Sequence, residues 1–93
     1  MSSRLRTLNL SANQLTDRCC AALTNALADS PNLEKLVLSK NALQDRGAQL
    51  IAYGLVSNTI LQTLDIADNS IGALGLQALL DCLSYNHTVS SLS

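Results

Sequence analysis

Leu33-Glu34-Lys35-Leu36-Val37-Leu38-Ser39-Lys40-Asn41-Ala42-Leu43 decides the fold, because the same pattern stands twice more in the chain. Leu5-Arg6-Thr7-Leu8-Asn9-Leu10-Ser11-Ala12-Asn13-Gln14-Leu15 precedes it by 28 residues, and Leu61-Gln62-Thr63-Leu64-Asp65-Ile66-Ala67-Asp68-Asn69-Ser70-Ile71 follows it by 28. At the same spacing the tail begins again with Val89-Ser90-Ser91-Leu92-Ser93. The pattern L-x-x-L-x-L-x-x-N-x-L thus divides the chain into repeats 5–32, 33–60 and 61–88 and a partial repeat 89–93. A fixed period of this length marks units that cannot bury their apolar faces alone and stack to do so.

Each repeat opens with alternating apolar residues, Leu8 and Leu10, Leu36 and Leu38, Leu64 and Ile66, as a short strand with one buried face requires. The second halves, from Asp17, Asp45 and Ala73 onward, carry apolar residues at helical spacing and predict a helix with one buried stripe. Asp17 and Asp45 fall in the first helical turn, where the dipole favours a carboxylate, so helices are expected to start near residues 16 and 44. The third helix has Ala73 after Gly72 at this point and is expected to lack a side-chain cap and fray. Small residues recur in two columns, Cys19, Gly47, Gly75 and Ala26, Gly54, Cys82, and mark close helix packing. Return loops at 28–32, 56–60 and 84–88 are rich in turn formers.

These residues resemble the leucine-rich repeat family, and the 28-residue period with a helical second half is similar to its ribonuclease-inhibitor-like subclass. The resemblance implies an α/β solenoid, curved, with parallel strands on the concave face and helices on the convex face. It further implies that Asn13, Asn41 and Asn69 form a structural ladder whose amides bond the backbone of adjacent turns. The chain is then a single domain, 1–93, expected to be a piece of a longer solenoid or to pair through uncapped ends as a homo-oligomer. Members of the subclass include ribonuclease inhibitors, immune receptors, actin regulators, axonemal proteins and activators of Ran-type GTPases. The function expected is therefore a protein-binding scaffold, not an enzyme; the alternatives are a GTPase regulator and a self-assembly element.

Composition agrees with many similar small units: 47% hydrophobic residues, but only two tyrosines and no Phe or Trp. Net charge is -1 with both signs intermixed, which offers nothing to nucleic acid or anionic lipid. Neither an apolar stretch of signal-peptide length nor one of bilayer-spanning length occurs, and a cytoplasmic protein is expected. Cys19, Cys20 and Cys82 are odd in number and lack C-x-x-C spacing, so they are read as reduced packing groups with no metal and no cofactor. The one histidine, His87, stands in a polar loop without an oriented partner, and no phosphate-binding glycine motif is present.

Function is then expected on strand residues that alternate with the buried leucines. The columns are Arg6, Glu34, Gln62; Thr7, Lys35, Thr63; Asn9, Val37, Asp65; Ser11, Ser39, Ala67; and Ala12, Lys40, Asp68. Charge along them changes sign: residues 5–32 sum to 0, 33–60 to +1 and 61–88 to -3.

Overall fold

The computed structural model describes residues 5–29, 32–56, 60–86 and 88–93. Expectations that rest on Arg4, Pro31, Asn58, His87 or the side chain of Ala26 lie outside the described residues. Strands β1 (Thr7–Asn9), β2 (Lys35–Val37), β3 (Thr63–Asp65) and β4 (Ser91–Leu92) pair in parallel in that order. Register follows the sequence period: Thr7, Lys35, Thr63 and Ser91 align, as do Leu8, Leu36, Leu64 and Leu92. At each strand entrance one carbonyl accepts two amides from the next repeat. Arg6 O accepts from Glu34 N (2.8 Å) and Lys35 N (3.0 Å), and Glu34 O accepts from Gln62 N and Thr63 N. Helices α1 (Cys20–Asp29), α2 (Gln44–Leu55) and α3 (Ala73–Leu83) cover the opposite side, completing the curved solenoid.

Burial shows how each repeat depends on its neighbours. In the central repeat Leu33, Leu36, Leu38, Leu43, Ala48, Ile51, Ala52 and Leu55 are all buried, whereas Leu8, Leu10 and Leu15 of the first are only partly so. A fully buried Leu or Ile contributes about 1.5 to 3 kcal/mol, and the central repeat, with β1 on one side of its strand and β3 on the other, obtains that burial across its whole core.

Where the chain leaves each strand it turns inward, and the backbone groups there need partners. Asn41 Oδ1 accepts from Asn13 N (2.9 Å) and Leu15 N (3.0 Å), while its Nδ2 donates to Leu10 O (3.1 Å) and Leu38 O (2.8 Å). Asn69, 2% exposed, donates to Leu38 O (2.8 Å) and Ile66 O (2.9 Å) and accepts from Leu43 N (3.3 Å). Asn13 is exposed and donates to Ser11 O at 3.2 Å. In the same turns Ala12, Lys40 and Asp68 adopt φ of 55°, 58° and 57°. A side chain in this left-handed region costs about 1 to 2 kcal/mol, which Asp tolerates better than most. These three therefore belong to the exit turn and not to the strand, a correction to the sequence reading of Lys40 and Asp68.

Helix starts fall near residues 16 and 44 as the spacing predicts, α2 beginning at Gln44, with two refinements. The first begins with a 3-10 turn, Asp17–Cys19, capped by Thr16, whose side chain accepts from Arg18 N at 3.3 Å, and the α-helix proper starts at Cys20. The third helix has no cap of its own, yet it is capped by its neighbour: Asp45 Oδ1 accepts from Gly72 N (2.6 Å) and Gly75 N (3.0 Å). The expected fraying is thus opposed by a carboxylate from the preceding repeat. This contact explains one glycine column. A Cβ on Gly75 would lie 2.8 Å from Asp45 Oδ1, 3.0 Å from Asp45 Cα and 2.7 Å from Ile71 Cγ2. On Gly47 it would lie 2.8 Å from Leu43 Cβ and 3.2 Å from Cys20 Sγ. Cys19, in the first repeat, is accommodated in a half-buried position.

Asn41→Ala is expected to cost about 1 to 3 kcal/mol in a denaturant melt, through orphaned backbone groups, and Asn13→Ala less. An Asn41→Ala loss within about 0.5 kcal/mol of zero removes the role assigned to the amide. Asp45→Ala is expected to cost about 1 kcal/mol and to raise amide exchange at the start of α3, at Gly75 and Leu76, more than in α2. Equal exchange at both helix starts contradicts capping across the repeats.

Candidate functional site

Parallel pairing brings the candidate strand residues together about 4.8 Å apart. Thr7, Lys35 and Thr63 stand in one row and Asn9, Val37 and Asp65 in the next. Between these rows lie Leu8, Leu36 and Leu64, directed into the core. Arg6, Thr7, Asn9, Lys35, Lys40, Gln62 and Asp68 are exposed, and Glu34, Val37, Thr63 and Asp65 are half-buried. Arg6, Glu34 and Gln62 sit at the strand entrances, and Lys40 and Asp68 in the exit turns, where Lys40 N donates to Ala67 O at 2.9 Å.

Two of these side chains are partly engaged by their own turns. Asn9 Oδ1 accepts from Ser11 N (3.0 Å) and Ser11 Oγ (2.7 Å), and Asp65 Oδ1 accepts from Ala67 N (3.1 Å). They hold the strand exit in shape and present a defined oxygen rather than a freely rotating one. The result is a shallow polar sheet with one apolar side chain, Val37, flanked by Lys35 and Lys40 and followed by Asp65 and Asp68. Nothing in it combines a nucleophile with an oriented base. Among the described residues no group of three or more His, Cys, Asp or Glu is placed to hold a metal ion, and no helix is long and apolar enough to cross a membrane.

Sequence reasoning missed two features. Asn86, placed in a polar return loop, is only 4% exposed: its Nδ2 donates to Leu55 O at 2.6 Å, and its Oδ1 accepts from Thr88 N and Val89 N. The available signal was an asparagine at the same repeat position, Asn58, one period earlier. The second feature is the far edge of the stack. Cys20 and Thr24 on α1 touch the glycines of α2, and Ala48 and Ala52 follow them down the column, but the third repeat places Leu76 and Leu80 there. Both are at least half exposed, and Leu76 lines a cavity of about 410 Å³ together with Ile66, Ile71, Leu79 and Leu92.

The thiols are free and differ in environment. Cys20 is fully buried, and its pKa is pushed up to about 12, first by burial and then by Cys19 and Asp17. Burial also raises Cys82. Since the thiolate is the reactive form, both are suppressed as nucleophiles and as metal ligands. Cys19 is half-buried, with Sγ 3.0 Å from Thr16 O. A thiol reagent at pH 8 is therefore expected to label Cys19 well before Cys20 and Cys82. Because Cys20 ionises near its ordinary 9.0 when unfolded and near 12 when folded, the stability it contributes is full below pH 9 and is lost as pH rises toward 12. Cys20→Ala should flatten stability over that window. Equal labelling of Cys19 and Cys20 in the folded protein contradicts this assignment.

A family model described as Leucine Rich repeat matches residues 29–52 and 57–80, and a second, Leucine Rich Repeat, matches residues 4–26. No curated protein matches the sequence. Among solved structures, that of the leiomodin-1 actin-binding site 2 superposes with a TM-score of 0.85 at 24% identity, over 92% of this chain. The chain spans half the length of that structure. At this identity the likeness concerns the fold.

Proposed function

The chain belongs to the leucine-rich repeat family, and on that premise we propose that it binds a protein partner through the concave face of its sheet. The observation that carries this reading is the row Asn9, Val37 and Asp65 lying beside Thr7, Lys35 and Thr63 in one register, on a surface the core does not use. Val37 is the apolar centre, and Lys35, Lys40, Asp65 and Asp68 make a rim of both signs, the arrangement of an apolar interface core with a polar border. Burying Val37 contributes only about 1 to 2 kcal/mol, so the rim charges set orientation and rate of association. That leiomodin-1 carries an actin-binding site on a similar fold supports a protein partner. The strand register in steps of 28 residues and the helical second halves support a ribonuclease-inhibitor-like subclass assignment and, with it, a cytoplasmic setting. A scaffold of this kind needs no catalytic group, and a GTP turnover assay separates it from a GTPase regulator of the same architecture.

One observation favours a second reading, in which end-to-end pairing extends the solenoid: Leu76 and Leu80, one turn apart on α3, are both at least half exposed. An unpaired apolar edge of this kind is covered in a stable stack by a further repeat of a longer parent chain or by a second chain. Sedimentation tests it, since Leu76→Glu with Leu80→Glu should abolish concentration-dependent association.

The concave reading is tested with the triple variant Lys35→Glu, Val37→Asp, Lys40→Glu against a helical-side control, Ala21→Glu with Asn25→Glu. Proteins retained from cell extract by the wild type should be lost from the triple variant and kept by the control, with melts within about 0.5 kcal/mol of wild type. Normal retention by a folded triple variant places binding elsewhere.

A further inference from the structure

The two aromatic residues of the chain are not in its core. Tyr53 on α2 is 79% exposed and Tyr85, just past α3, is 72% exposed, and both line one groove between the two helices on the convex surface. Its floor is made by Ala52, Ala78 and Cys82, whose small side chains leave a depression of about 290 Å³. The one charged residue on its lining is Asp81, and Gln77 Nε2 holds that carboxylate by donating to Oδ1 at 3.0 Å. Asp81 occupies the repeat position that Tyr53 holds one period earlier, so ring and carboxylate are brought side by side by the stacking itself.

Nothing in the core accounts for these rings. They bury little surface and the groove between them is open, so they contribute little to the stack. Exposed tyrosines around a depression are the side chains that anchor interfaces, large in area and low in conformational entropy. The charge is equally pointed. After Arg46 the sequence contains Asp65, Asp68 and Asp81 but no Lys or Arg, so the cation that would complement Asp81 does not come from the third repeat.

We propose that this convex groove is a second docking surface, and that it takes an arginine side chain of a protein partner between Tyr53 and Tyr85, paired with Asp81. Arginine fits better than lysine because its planar guanidinium stacks on aromatic faces while its fork of N–H groups meets a carboxylate. The small floor residues admit the methylene stem, and the exposed ring edges leave room for flanking residues of the partner. The inference is independent of the concave face, which shares no residue with this groove.

The test uses the whole chain and a short peptide, acetyl-Gly-Arg-Gly-amide, with a matched peptide carrying neutral citrulline. Because the chain has two tyrosines and no Phe or Trp, their ring proton and carbon signals are resolved in one NMR spectrum. The arginine peptide is expected to shift both tyrosine ring signals saturably and to weaken as salt is raised, and the citrulline peptide to shift neither. Asp81→Asn should weaken the arginine titration by about 5- to 10-fold, and Tyr53→Leu with Tyr85→Leu should abolish the response of the Ala78 amide without changing the melting midpoint. Absence of saturable ring shifts, equal shifts from citrulline, or an unchanged affinity in Asp81→Asn overturns the proposal. The triple concave variant serves as the separating control: its tyrosine titration should match wild type whether or not the concave reading holds.

Discussion

Everything in this molecule depends on satisfying the inward turn that follows each strand. A chain that passes beneath its own sheet exposes carbonyls and amides to a site without water, where each unmet group costs about 1 to 3 kcal/mol. Asn41 and Asn69 meet that demand with a side-chain amide that donates downward to its own repeat and to the preceding one, while its oxygen accepts amides of that preceding repeat. The same bonds fix the vertical register, because an amide that reaches Leu38 O from Asn69 spans one repeat and no other. No buried side-chain nitrogen or oxygen among the described residues is left without a partner.

The helices obey a related rule. Their ends leave amides without intrahelical partners, and α3 receives its acceptor from Asp45, a residue of the repeat before. The approach this requires is closer than any Cβ on Gly75 would allow, so cap and glycine are one feature seen from two repeats. Stability in such a stack is therefore carried by interfaces between repeats. The core side chains of the central repeat are buried, the strand leucines of the first are only partly so, and the third turns larger apolar side chains outward at Leu76 and Leu80.

Two surfaces remain that this bonding does not consume. The concave sheet offers short polar side chains in register around Val37, held at Asn9 and Asp65 by turn hydrogen bonds. On the convex side, α2 and α3 border a groove floored by the small residues Ala52, Ala78 and Cys82, with Tyr53, Tyr85 and Asp81 lining it. The first is a broad, mixed-charge face suited to orienting a partner; the second is a compact anionic and aromatic pocket suited to gripping one side chain.

The strand positions, the order and direction of the sheet, the helix-bearing second halves and the core leucines were legible in the sequence. Each is set by spacing, alternation of two in the strand, three to four in the helix and 28 between repeats, and spacing is a property of one chain read along its length. The candidate face followed from the same alternation, down to which columns stand side by side. What the sequence could not supply was every feature created between repeats. The Asp45 cap on α3 joins residues that no local motif links, and the sequence reading therefore assigned that carboxylate to its own helix. Asn86 looked like a solvated loop residue because its partner, Leu55 O, lies one repeat away. Lys40 and Asp68 were counted with the strand because alternation continues past its end, whereas a left-handed φ shows only in the folded backbone. The groove of Tyr53 and Tyr85 exists only because stacking sets α2 and α3 side by side. Spacing fixes what each repeat is made of; contact across repeats, a tertiary matter, decides which groups are capped, buried or left facing out.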